Sequence, residues 1–181
     1  MIPKDEFYIV VDVESSGPVP GEFALLSIGA ATLSSPPESF YIELQPDADS
    51  FTDEAMRINQ LDMELLKHEA FPPVTALQKF AEWTESVTPA GKLPIFSAFN
   101  APFDWMFVNV YFHRYLGYNP FGYKALDIKA LFMGQHHIPF IRTSHDAIAN
   151  HYKLQDSLTH HALEDAVQEA LILKKLLSEI F

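Results

Sequence analysis

Cysteine is absent from the 181-residue chain. A disulfide framework and thiolate metal sites are therefore excluded, and a reducing, cytoplasmic setting is the expectation that follows. Long apolar runs are missing too. None approaches the ~20 residues that span a bilayer, so no membrane partner is expected. The opening residues, Met1 to Glu6, lack the charged-then-apolar layout of a secretory signal. Basic charge is scarce, with 12 Lys+Arg against 24 Asp+Glu and a net charge of −12. A protein that coats nucleic acid by neutralising phosphates needs the opposite balance. An enzyme that grips a few nucleotides through bound cations does not, because such ions dominate the local field. No repeat, linker or low-complexity tract divides the sequence, so residues 1–181 read as one domain. With 48% hydrophobic residues, it can bury a core without staples.

What the chain does have is acid in an unusual place. Tyr8-Ile9-Val10-Val11 begins as a run rich in β-branched residues, the pattern of a strand buried on both faces. Asp12 and Glu14 follow, two residues apart, before Gly17 and Pro18 end the strand. Side chains at i and i+2 share a face, which sets these carboxylates roughly 7 Å apart. Like charges held there must take up a proton or share a cation, and a hard divalent ion with oxygen ligands is the simplest remedy. A pair of solvated acids at a strand end is the plain alternative.

Phe23 to Thr32 reads as a second strand, Ser34-Ser35-Pro36-Pro37 as a turn, and Ser39 to Leu44 as a half-exposed edge strand, giving an antiparallel meander. Thr52-Asp53-Glu54 and Asp62-Met63-Glu64 look like helix starts. Phe71-Pro72-Pro73 is a break, after which Val74, Leu77, Phe80, Ala81 and Trp83 form the stripe of an amphipathic helix. Leu93 to Ala98 reads as a buried strand, and helical periodicity runs from Trp105 to Leu116. Ala125-Leu126-Asp127 ends a short strand before a helix through Leu131, and Ser144 to His151 is a further helix. The last helix, from about His161 to Ile180, carries Leu163, Val167, Ala170, Leu173 and Leu177 at helical spacing. Strands first and alternation later make an α/β or α+β fold.

Two further acidic spots matter. Asp104 stands near a helix start, where it also suits the helix dipole. His160 precedes Asp165 by five residues, which turn through about 500° on a helix, so the two would not share a helical face. His160 fits the loop before the helix, with Asp165 in its second turn.

Three motifs, Asp12-Val13-Glu14-Ser15-Ser16-Gly17, Asn100-Ala101-Pro102-Phe103-Asp104 and His160-His161-Ala162-Leu163-Glu164-Asp165-Ala166, occur in order across the chain. In them, and in Ser27-Ile28-Gly29-Ala30 and Leu126-Asp127, the sequence resembles the histidine-bearing branch of the DEDD 3′→5′ exonuclease superfamily. The resemblance implies an RNase H-like α/β fold, a mixed five-stranded sheet flanked by helices with its second strand antiparallel to the rest. It implies that Asp12, Glu14, Asp104 and Asp165 hold two divalent cations, Mg²⁺ or Mn²⁺, and that His160 is the general base, with His161 its competitor. Ser15, Ser16, Asn100 and Phe103 are implied to meet the substrate, and Phe99 and Phe107 either stack on bases or pack in the core. The implied reaction releases nucleoside 5′-monophosphates from the 3′ ends of short single-stranded DNA or RNA. A non-catalytic binding or scaffold module and a polymerase-associated proofreading subunit are the alternatives, and a homodimer is a further implied partner. One departure is Asn59-Gln60-Leu61, where many relatives carry His-Gly-Ile, so a substrate contact does not carry over to Asn59.

Overall fold

The computed structural model describes residues 3–154 and 159–181, so Met1 and Ile2 of the signal-segment reading lie outside it. Five strands, β1 (Glu6–Ser15), β2 (Leu25–Thr32), β3 (Ser39–Glu43), β4 (Leu93–Ala98) and β5 (Ala125–Asp127), form one sheet in the order β3-β2-β1-β4-β5. The first three make the expected antiparallel meander, while β4 and β5 run parallel to β1, so β2 alone opposes the rest. Among the described residues seven α-helices accompany the sheet: α1 (Asp53–Asn59), α2 (Met63–Glu69), α3 (Pro73–Val87), α4 (Ala101–Tyr115), α5 (Ile128–His136), α6 (His145–His151) and α7 (Ala162–Ile180).

Strand β1 is the shared element of two cores. Ile9, Val11 and Val13 point to one face, against Phe80 of α3 and Phe107 and Phe112 of α4. Tyr8 and Val10 point to the other, against Ile128 and Phe132 of α5 and Leu173 and Leu176 of α7. Alternation along the strand puts Asp12 and Glu14 on that second face. The face therefore turns from apolar to acidic along the strand, from the part covered by the body of α7 to the part beside its start.

Helix starts follow local chemistry. Thr52 caps α1 by accepting from Ala55 N–H, and Asp62 caps α2 by accepting from Glu64 and Leu65 N–H. Pro73 opens α3 at a position whose N–H has no helical partner. Helix α4 starts at Ala101, with Pro102 in its first turn, the position a proline suits, and its periodicity continues from Trp105. Helix α5 continues past Leu131 to His136, since Phe132 is buried and prolongs its apolar face.

Gly29 fixes how closely α7 approaches the sheet. A Cβ there would lie 2.1 Å from the Ala162 carbonyl carbon and 2.3 Å from Leu163 N. The obstruction is backbone at the start of α7, which cannot swing aside. Gly29→Ala is expected to cost roughly 1–3 kcal/mol or more through overpacking. Urea denaturation checks the loss, and an unchanged midpoint would show that α7 can lift without penalty.

Candidate active site

The carboxyl end of β1 opens into a cavity of about 420 Å³, within the usual ~300–1,000 Å³ of ligand pockets. Asp12, Glu14, Ser15, Asn100, Phe103, Asp104, His160 and Asp165 all line it, so most of the sequence-derived candidates converge. Ser16 does not. Its hydroxyl is buried, donating to the Ser50 carbonyl at 2.7 Å and accepting from Ala24 N–H at 2.9 Å, so it braces loops instead of facing the cavity. Ser15 lines the wall, but its hydroxyl is turned to the Gly17 carbonyl at 2.8 Å.

Each acid arrives on its own element. Pairing of β1 with β4 ends at Val10 and Ser97, so the last residues of β1 project beyond its neighbour. On that side Val13 N–H donates to Asp104 Oδ1 at 3.1 Å, which seats the first turn of α4 against the strand. Asp127 steadies the same turn, accepting from Ala101 N–H at 2.6 Å while capping α5 through Ala130 N–H. Asp165 lies in the first turn of α7, not the second, because the helix begins at Ala162. Its Oδ1 accepts from Thr159 N–H at 2.8 Å and Thr159 Oγ1 at 3.2 Å, and its Oδ2 accepts from His160 N–H at 2.9 Å. His160 adopts a left-handed backbone (φ 57°), and one ligand atom from each of Glu14, His160 and Asp165 lies within 4.8 Å of the others. His161 stacks on Tyr41 with ring centroids 4.6 Å apart and is not among the cavity residues.

Phe99 and Phe103 are half-buried on the cavity wall, whereas Phe107 is fully buried in the core. Asn59 also lines the cavity, with its amide engaged by the chain itself. Its Nδ2 donates to the Ser15 carbonyl at 3.0 Å, and its Oδ1 accepts from Leu61 N–H, clamping the end of β1.

Glu169 was missed. It lies one turn after Asp165, is 2% exposed, and accepts from Phe99 N–H at 3.2 Å. Its spacing of four from Asp165 was the available signal, since i and i+4 share a helix face. His145 was also missed. It is buried against the edge of Phe99, and burial holds its imidazole below the usual range.

Crowding sets the electrostatics. Burial raises Asp12 well above the usual carboxylate range, with Glu169 the largest of the neighbouring charges that add to it. Burial, then Asp165 and Asp104, push Glu14 up to about 8. Asp104 is likewise pushed up to about 8, chiefly by burial. Asp12 Oδ2 is buried with no hydrogen-bond partner among the described residues. Among the described residues, five carboxylates line the cavity (Asp12, Glu14, Glu54, Asp104 and Asp165), and no Lys or Arg does. The carboxylates supply a mainly oxygen donor set, and together with the unpartnered Asp12 oxygen this fits a hard divalent cation such as Mg²⁺ or Mn²⁺.

No family model matches the chain. It is 42% identical over 165 residues to the 3′-5′ DNA exonuclease Cap18 of Escherichia coli, spanning 91% of this chain and 88% of that one. Among solved structures, it superposes on the nuclease domain of 3′hExo, a DEDDh family member, bound to rAMP. That match has a TM-score of 0.82 at 15% identity, over 97% of this chain and 94% of the other. The zinc-bound ExoI–ssDNA complex of E. coli gives 0.75 at 14% identity, over 97% of this chain and 41% of that one. At such identities the structures carry the fold, and the Cap18 match carries the family. The chain belongs to the DEDDh-type 3′→5′ exonucleases. It is an enzyme of that class, and the class depends on divalent metal.

A pH dependence follows from the crowded acids. Below the ordinary value of 4.5 both folded and unfolded states hold the Glu14 proton, and above about 8 neither does. Between these values the folded state binds more protons, so metal-free stability falls as pH rises; Asp104 behaves alike from 3.8 to about 8. In EDTA the melting temperature should drop from about pH 5 to pH 8, and Mn²⁺ should restore more at the upper end. A flat profile would mean that the acids are not strained. Glu169→Gln should raise metal-free stability near pH 8 while weakening Mn²⁺ binding roughly tenfold, read by calorimetry.

Proposed function

We propose that residues 1–181 form one exonuclease domain that removes nucleoside 5′-monophosphates from the 3′ end of short single-stranded nucleic acid, DNA before RNA. The observation that carries this is the mismatch between cavity and substrate. A phosphodiester is an anion, yet among the described residues the cavity presents five carboxylates and no Lys or Arg. Only bound cations reconcile the two. In this reading Asp12, Glu14, Asp104 and Asp165 hold two divalent ions, Mg²⁺ or Mn²⁺. When bound, such a pair activates water and offsets charge on the phosphoryl and leaving oxygens.

The chain's own residues do the rest. His160 stands on the loop at the mouth of α7, exposed, where its imidazole can take a proton from the attacking water. Its backbone N–H is held by Asp165, so base and ligand move as one unit. His161 is committed to Tyr41, which favours His160 for the role. Phe99 and Phe103 offer ring surfaces to the terminal bases, a sequence-tolerant grip. Asn100, in a left-handed turn (φ 67°), presents its exposed amide at the same wall. The preference for DNA follows the Cap18 relative, a 3′-5′ DNA exonuclease.

The test uses 5′-labelled single-stranded DNA and RNA with Mg²⁺ or Mn²⁺. A ladder shortening from the 3′ end is expected, faster on DNA, and abolished by EDTA and by Asp12→Ala. His160→Ala should lower kcat by roughly 10²–10⁴-fold. Equal loss with His161→Ala would move the base by one residue. Faster shortening of RNA would reverse the sugar preference. Size-exclusion chromatography of the same preparation reads out the implied homodimer, and activity without added polymerase speaks against an obligate proofreading partner.

A further inference from the structure

The far end of α7 carries a second cluster that the nuclease reading does not use. Glu179 comes 14 residues after Asp165, about 21 Å further along the helix at 1.5 Å per residue. His136, the last residue of α5, and His151, the last of α6, face it. His136 Nε2 lies 3.3 Å from Glu179 Oε2, and the two imidazole centroids are 4.5 Å apart at 63°. One ligand atom from each of the three residues lies within 4.8 Å of the others. Tyr152 OH donates to Glu179 Oε2 at 3.1 Å and lies 3.3 Å from His136 Nε2. The buried Phe132 ring walls the cluster from inside, 4.2 Å from the His136 ring and 5.3 Å from that of His151. His151 and Glu179 are exposed, so an ion can arrive from solvent.

We propose that His136, His151 and Glu179 form a second metal site, one that takes a borderline divalent ion of the Zn²⁺ class. Two imidazoles and one carboxylate suit Zn²⁺, whereas Mg²⁺ favours oxygen donors, so the two ends of α7 select different ions. Three protein ligands leave a fourth tetrahedral position for water. Tyr152 is the outer group that orients Glu179, as second-shell partners commonly do. The three ligands come from three helices, so the ion ties the ends of α5 and α6 to the helix whose start bears Asp165. A simple His136–Glu179 ion pair is the competing account, and it gives His151 no ligand role. Arg142 lines the adjoining cavity together with His136 and His151, and its charge opposes a cation there.

The experiment is calorimetric titration of the full chain with Zn²⁺ in excess Mg²⁺, which saturates the carboxylate cavity, paired with melting temperatures. One Zn²⁺ per chain and a higher melting temperature are expected. His136→Ala/His151→Ala should abolish both while leaving Mg²⁺-supported cleavage unchanged. Glu179→Gln, at an exposed position, should weaken binding without unfolding risk if the double variant melts early. Tyr152→Phe should weaken it roughly tenfold, and Arg142→Ala should tighten it. Binding that survives the double substitution, or that disappears with Asp12→Ala, would place the ion elsewhere and overturn the proposal. No Zn²⁺ uptake at all would leave the cluster an ion pair. Apart from the cleavage control, none of these outcomes depends on whether the strand-end cavity cleaves nucleic acid.

Discussion

Burial of several carboxylates beside one another at the end of β1 is the constraint that the rest of the structure has to meet. Asp12 and Glu14 come from the strand, Asp104 from α4, and Asp165 and Glu169 from α7, each raising or raised by its neighbours. A fold that assembles these groups must hold three elements against a force that separates them. It does so with backbone donors: Val13 N–H on Asp104, Phe99 N–H on Glu169, and Thr159 and His160 N–H on Asp165. The two hydrophobic cores beneath supply the opposing stability, and both are anchored on the same strand that carries the first two acids. The site is strained in the direction that a cation relieves, which is how a metal-dependent centre stores selectivity for its metal.

Much of this was legible in the residues. The Asp12–Glu14 alternation placed two carboxylates on one strand face, and the meander, the helix starts at Thr52 and Asp62 and the position of His160 before α7 followed from local pattern. The motifs led to the mixed five-stranded sheet and to the family. Gly29 shows how a motif residue can be steric instead of chemical: its role is to let the α7 backbone touch β2.

The unread parts have a common cause. Along α7 the apolar stripe through Leu163, Val167, Ala170, Leu173 and Leu177 meets the buried face at Ala170, Leu173 and Leu177, and that face also carries Asp165 and Glu169. Hydrophobic periodicity gives no weight to acids, so it does not mark Glu169 as an inward residue. Ser16 failed in the opposite sense, because a hydroxyl beside a catalytic motif gives no hint that a distant loop carbonyl, Ser50, has claimed it. Asn59 carries no signal in its motif, and its amide holds the end of β1 by contacts that only the folded chain brings together.

Asp165 has a consequence for how the enzyme can be silenced. Its two oxygens already accept three hydrogen bonds from Thr159 and His160, which leaves about one of the roughly four lone-pair sites of a carboxylate free. The residue is thus as much the knot that starts α7 as a candidate ligand. An amide at this position would set an NH₂ donor against the backbone donors, so loss of charge and loss of the His160 turn could not be told apart. Asp12, whose Oδ2 has no partner to lose, is the side chain at which chemistry and architecture come apart cleanly.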